Sequence, residues 1–211
     1  MCKQCEKNPV YEFTNKRKLC RSCFIRYFQK KVLYIIRKFN LIKQKDVVGY
    51  KNEKDFRGVV LEDILKRFAD KWMIGLVELR SETRNINKQL IQKSCLITSN
   101  QFQAKRGKLK KPNKISTAST IDLEADKIIH TLIQGEIKEL KKVAPVEGKI
   151  IKPLYLFLDE EVLLYAQLKR LKFKKVKLKK DKISKSIDEF EKKHPEIKRA
   201  IVKSYLELYD K

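Results

Sequence analysis

Phe24, Phe28, Val32, Ile35, Ile36 and Phe39 recur at intervals of three and four residues, which predicts an amphipathic helix over 24–39. Arg26, Lys30, Lys31, Arg37 and Lys38 fall mainly on its other faces. Packing against a following domain accounts for the apolar stripe. Beyond it the pattern alternates. Residues 46–50, 72–79, 94–98 and 115–117 read as strands, and 56–70 and 84–92 as helices. A stronger helical pattern covers 121–134, with Ile121, Ala125, Ile128, Ile129, Leu132 and Ile133 inward. Short connections in this order predict an α/β fold with a doubly wound, mostly parallel sheet. The last third reads as helical, with one helix over 160–171 and another opening at His194-Pro195 and running to about Tyr209.

Residues 1–23 follow neither period. They carry four cysteines as two Cys-x-x-Cys pairs, Cys2/Cys5 and Cys20/Cys23, with a turn near Asn8-Pro9 and a hairpin tip at 15–18. Each knuckle turns two sulfurs toward one point, and two knuckles complete a tetrahedral set for zinc. With all four positions filled by Cys, the metal is expected to be structural. A disulfide framework requires an oxidising compartment, whereas the start Met1-Cys2-Lys3 shows no apolar leader segment. A redox Cys pair belongs at a strand-to-helix junction of a βαβ unit, not in a lysine-rich ribbon.

Charge then narrows the partners. The 211 residues hold 51 Lys+Arg against 26 Asp+Glu, a formal net charge of +25. Such an excess calls for a polyanion: RNA, DNA or an acidic membrane surface. No run approaches the ~18 apolar residues of a membrane span, and nucleic acid is favoured. Candidate RNA contacts are Lys16, Arg17, Lys18 and Arg21 on the ribbon and Arg26, Lys30 and Lys31 on the helix. Lys105 and Arg106 add a loop cluster. Nine basic residues in the fourteen of 169–182 form a further run. The loop and the run suit phosphate contact and plain solvation equally.

Open α/β sheets bind nucleotides at the carboxyl end of the first strand, on a glycine-rich turn. That turn reads Lys51-Asn52-Glu53-Lys54-Asp55-Phe56, with no glycine and a glutamate where phosphate would arrive. Neither phosphate-binding glycine motif occurs in the chain.

Three stretches carry a family resemblance. One is the ribbon with Leu19-Cys20-Arg21-Ser22-Cys23-Phe24, continuing through Lys30-Lys31. Another is Thr120-Ile121-Asp122-Leu123-Glu124-Ala125, running to Leu132-Ile133-Gln134-Gly135-Glu136. The third is Ile150-Ile151-Lys152-Pro153-Leu154 with Glu161-Val162 and Tyr165-Ala166. In this order they resemble the cytosolic tRNA 2-thiolation proteins of the PP-loop ATPase superfamily. The family's Ser-Gly-Gly-Lys-Asp-Ser falls on 51–56, where only Lys54 and Asp55 survive. Its helix histidine falls on Ser119 and its second aspartate on Leu123. Of its central cysteine pair only Cys95 has a counterpart, and its C-terminal zinc cysteines are missing. The chain therefore resembles the non-catalytic cytoplasmic tRNA 2-thiolation protein 2 family, in a short form.

The resemblance implies a zinc ribbon (1–23), a connecting basic helix (24–43), a degenerate PP-loop domain (44–150) and a helical C-terminal region (151–211). It implies a cytoplasmic tRNA-binding subunit without catalytic residues, paired with an active PP-loop thiolase that modifies the wobble uridine of lysine, glutamate and glutamine tRNAs. An active thiolase and a zinc-ribbon RNA- or ribosome-binding protein unrelated to thiolation are the alternatives, and a homodimer is an alternative to the heterodimer. Cys95, His130 and His194 read as structural residues, and Glu160, Glu161, Asp188, Glu189 and Glu191 as helix-start or solvated charges.

Overall fold

The computed structural model describes residues 1–51, 53–79, 111–175 and 181–209, with the backbone alone of 95–97. The expected helix over 84–92, the loop cluster of Lys105 and Arg106, and part of the 169–182 run lie outside these residues.

The ribbon is a hairpin of β1 (Tyr11–Glu12) and β2 (Lys18–Leu19), paired antiparallel. Its tip is closed by the Lys16 N–H donating to the Phe13 carbonyl at 2.8 Å, with Lys16 left-handed at φ 60°. Helix α1 (Arg21–Lys38) starts three residues before the expected point, because Cys20 is extended and caps it while Cys23 already lies in its first turn. It ends where Asn40 turns left-handed (φ 48°) and the Leu41 N–H donates back to Ile36 at 2.9 Å.

A six-stranded sheet follows, in the order β5-β4-β3-β6-β8-β7. Its members are β3 (Val47–Tyr50), β4 (Gly75–Glu78), β5 (Cys95–Ile97), β6 (Lys114–Ser116), β7 (Val146–Glu147) and β8 (Ile150–Ile151). The four central strands are parallel, and the edges β5 and β7 are antiparallel. The expected α/β architecture is thus present, with the strand order reversing between β3 and β6. Trp72 closes helix α2 (Phe56–Trp72) instead of opening β4; left-handed Met73 ends that helix and the strand begins at Gly75.

Helix α3 (Ile121–Ile133) buries Ile121, Ala125 and Ile128 as expected, but Leu132 and Ile133 are exposed near its end. Helix α4 (Asp159–Leu168) stops short of 171: Arg170 is left-handed, and the Leu171 N–H bonds back to Ala166. Helix α5 (Lys182–Lys193) was not anticipated, since its high charge hides a narrow buried stripe of Ser184 and Ile187. His194 caps α5 and accepts from Ile197 at the start of α6 (Ile197–Tyr209).

Residues of the ribbon, α1, α2, α4 and the sheet share one hydrophobic cluster, which includes Cys2, Leu19, Cys20 and Cys23. Phe28 of α1 stacks between Phe157 (4.1 Å) and Tyr165 (4.2 Å). A second cluster joins α3 to α6 through Ile128, Tyr155, Val202 and Tyr205.

Candidate metal centre and the closed sheet edge

The ribbon brings all four predicted cysteines together. Their sulfurs lie within 4.8 Å of one another, with Cys5 to Cys20 at 3.3 Å and Cys5 to Cys23 at 3.6 Å. A tetrahedral zinc with Zn–S of ~2.3 Å would set the sulfurs about 3.8 Å apart. No pair is at bonding distance, and all four are free thiols. Cys2, Cys20 and Cys23 are buried while Cys5 is exposed. Bonds from Ser22 and the Cys23 backbone draw the Cys20 thiol down to about 6, whereas desolvation and the neighbouring sulfurs push Cys23 up to about 12. The donor set fits a metal that prefers four thiolates, which holds for zinc and for iron–sulfur clusters.

At the carboxyl edge of the parallel strands, charged side chains form a connected network. Asp55 caps α2, accepting from the Gly58 N–H at 2.7 Å. Arg57, buried in the first turn of α2, donates from Nε to Asp159 Oδ1 at 2.7 Å, pairs through Nη2 with the other oxygen, and reaches Asp55 at 3.4 Å. Thr120, before α3, donates to Asp159 at 2.7 Å, and the Asp159 N–H donates to Asp122 at 2.7 Å. Lys198 of α6 completes the network with ion pairs to Asp122 (2.8 Å), Asp188 (3.0 Å) and Glu191 (2.7 Å). Burial disfavours the Lys198 charge, but these three carboxylates outweigh it and raise its affinity for the proton. On the neighbouring turn Lys51 pairs with Glu53 at 3.0 Å. Residues 171–174 lie against the same turn, with the Lys174 N–H donating to the Lys54 carbonyl at 2.7 Å.

Arg57, Asp159 and Lys198 carry no local sequence signal that marks them as a network, since the pairs Arg57–Asp159 and Lys198–Asp122 lie far apart along the chain. Asp188 and Glu191 are not simply solvated, since both pair with Lys198. Glu161 stands in the first turn of α4, as expected of a helix-start charge, but is not solvated. It is fully buried, accepts from the Leu158 N–H at 2.9 Å, and pairs with Lys31 (3.2 Å) and Arg199 (3.4 Å). Lys31 is consequently tied to a buried carboxylate, with only 16% of its side chain exposed. Desolvation lowers its pKa to about 8, against the pull of Glu161.

The remaining ribbon and helix cations have separate surroundings. Arg17 lies over Phe13 (4.4 Å) and Tyr27 (4.9 Å), Lys18 pairs with Glu12 at 3.0 Å, and Arg21 donates to the Leu168 carbonyl at 2.5 Å. Lys16, Arg26 and Lys30 are exposed. His130 is half-buried with Nε2 3.2 Å from Asp181. For Cys95 only the backbone, paired with Glu78 in the sheet, is described.

No protein-family model and no curated protein matches the sequence. Among solved structures the chain is similar to the U34-tRNA thiolase NcsA from Methanococcus maripaludis, solved with its 4Fe–4S cluster. The TM-score is 0.68 at 17% identity, over 99% of this chain and 87% of that one. This chain shares the thiolase fold. No helix among the described residues is long and apolar enough to cross a membrane.

Proposed function

We propose that this chain is a non-catalytic tRNA-binding subunit of a complex that 2-thiolates wobble uridine, working beside an active PP-loop thiolase in the cytoplasm. The observation that carries this reading is the network at the sheet edge. Five carboxylates (Asp55, Asp122, Asp159, Asp188 and Glu191) face two cations, Arg57 and Lys198. A nucleotide phosphate entering there would meet uncompensated negative charge, with no glycine turn to offer backbone N–H groups. The fold shared with a U34-tRNA thiolase supports the tRNA assignment, and the formal +25 supports a polyanionic ligand.

The four cysteines are assigned a structural zinc that fixes the ribbon. The regions 1–23, 24–43, 44–150 and 151–211 are assigned as ribbon, connecting helix, degenerate PP-loop domain and helical end. Isothermal titration with ATP–Mg tests the absence of nucleotide chemistry: no heat is expected, and micromolar binding would overturn it. Co-purification with mass spectrometry tests the complex. Recovery of tRNA with a PP-loop thiolase supports it; recovery of neither, with normal wobble thiolation in a deletion strain, refutes it.

A second reading draws on the cluster in the neighbour's structure. Here Cys2, Cys5, Cys20 and Cys23 would hold an iron–sulfur cluster in an active thiolase. Metal analysis of anaerobically purified protein separates the two: one zinc per chain supports the first, iron with inorganic sulfide the second.

A further inference from the structure

Helix α1 contains Arg21, Arg26, Lys30, Lys31, Arg37 and Lys38 and not one acidic residue. Like charges four residues apart, such as Arg26 and Lys30, repel and destabilise a free helix. Such a helix is held by its buried apolar face, and its outer face gains from any polyanion laid along it. On that face Tyr34 is an anomaly. It is 55% exposed, while the other aromatic residues of α1, Phe24, Tyr27 and Phe28, are buried or half-buried. Its ring has the Lys38 ammonium 6.0 Å from its centroid.

An open groove of about 610 Å³ runs beside it, lined by Gln4 of the first knuckle and by Arg26, Tyr27, Lys30, Lys31 and Tyr34. Arg26, Lys30, Tyr34 and Lys38 recur every fourth residue along about 18 Å of helix. The arrangement alternates cations with one accessible aromatic ring. Proteins that grip single strands use that combination: cations follow the phosphates and the ring stacks on a base. A purely phosphate-binding helix has no use for an exposed tyrosine.

We propose that Tyr34 stacks on an unpaired base of the bound RNA while Arg26, Lys30 and Lys38 hold the flanking phosphates. The inference rests on the RNA-binding reading above and deepens it: it makes the ligand a loop or single-stranded segment, not a duplex. Gln4 borders the same groove from the knuckle between Cys2 and Cys5, so the ribbon shapes one wall.

The test uses the full-length, metal-loaded chain and two RNAs of equal length, a stem-loop with a fluorescent adenine analogue in its loop and a continuous duplex. Base–aromatic stacking of about 1–3 kcal/mol predicts that Tyr34→Ala weakens stem-loop binding roughly 5- to 150-fold. Duplex binding should stay unchanged, and the fluorescence quenching seen with the parent protein should disappear. Tyr34→Phe keeps the ring and should stay within about twofold of the parent. Arg26→Ala takes one cation off the phosphates and should reduce the slope of log K against log salt by about 0.7. Tyr34 is exposed, so an unchanged melting temperature verifies folding. If Tyr34→Ala binds both RNAs as the parent does, or weakens both equally, stacking is wrong and the RNA-binding reading survives. If Tyr34→Phe is as weak as Tyr34→Ala, stacking is also overturned. A parent protein that binds neither RNA, or binds only an acidic protein, defeats both proposals together.

Discussion

Replacing Arg57 with alanine removes the cation at the centre of the sheet-edge network. The guanidinium serves Asp159 through two nitrogens and Asp55 through a third, with only 6% of its side chain exposed. Removing one partner of a buried pair costs about 3–5 kcal/mol, because the remaining charge stays desolvated. Two features reduce that here. Asp159 is 27% exposed and keeps the Thr120 hydroxyl, and Asp55 keeps the Gly58 N–H at the start of α2. The expected loss is therefore roughly 2–4 kcal/mol. For a chain of this size each kcal/mol lowers Tm by about 2–4 °C, giving a fall of roughly 4–16 °C. Thermal and urea unfolding of Arg57→Ala, Asp159→Ala and the double variant form a cycle. A coupling energy of about 1–3 kcal/mol is expected for groups that touch directly. Additive effects within ~0.5 kcal/mol would refute the network. Arg57→Ala should not gain ATP binding, because Glu53 and the glycine-free turn remain.

Cys20→Ser should lose the metal and lower the melting temperature of the whole chain, because Cys2, Cys20 and Cys23 share a cluster with Phe24 and Phe28. Metal analysis with thermal melting checks this, and metal loss with an unchanged melt would contradict it. Lys31 should titrate near 8 by NMR instead of at the ordinary lysine value of 10.5. Between those values the unfolded chain holds more protons, so the Lys31 contribution to stability rises with pH across that window; a lysine titrating near 10.5 would show it is not buried. Lys152→Met strands fully buried Glu124, whose carboxylate sits 2.9 Å from the Lys152 ammonium and, among the described residues, keeps the ion pair with Lys127 at 3.0 Å. The expected cost is about 2–4 kcal/mol in urea unfolding; a change below ~0.5 kcal/mol would show that the pair is not buried as described.

Periodicity carried most of the architecture. The stripe of Phe24, Phe28, Val32, Ile35 and Ile36 is buried in α1, and the alternating β and α segments form the parallel sheet. The paired cysteine spacing was legible because only a few geometries bring four sulfurs to one point. What failed was the fate of charged residues. Lys31 and Glu161 look like surface residues in sequence, yet they are separated by 130 positions and meet in the interior. Lys198 likewise gathers Asp122, Asp188 and Glu191. A local window contains no sign of such pairings, because burial of a charge depends on a partner supplied by another element. The same blindness hid α5, whose one buried face is outnumbered by lysines and acids.

These internal pairings change the meaning of the net charge. Of 26 acidic residues, Asp55, Asp122, Glu124, Asp159, Glu161, Asp188 and Glu191 are engaged with buried or half-buried cations. They are therefore withheld from the solvent-facing charge of Lys16, Arg26 and Lys30. These partly buried pairs are screened less by salt than the exposed cations, which act outward and are screened over ~8 Å at physiological ionic strength. The outward charge of α1, with no acid on the helix at all, thus exceeds what composition alone implies. The sheet edge has the opposite balance, with five carboxylates around two cations. A free nucleotide and an RNA backbone carry the same kind of charge, so on the function proposed above this division of sign would repel phosphate at the sheet edge and attract it along α1.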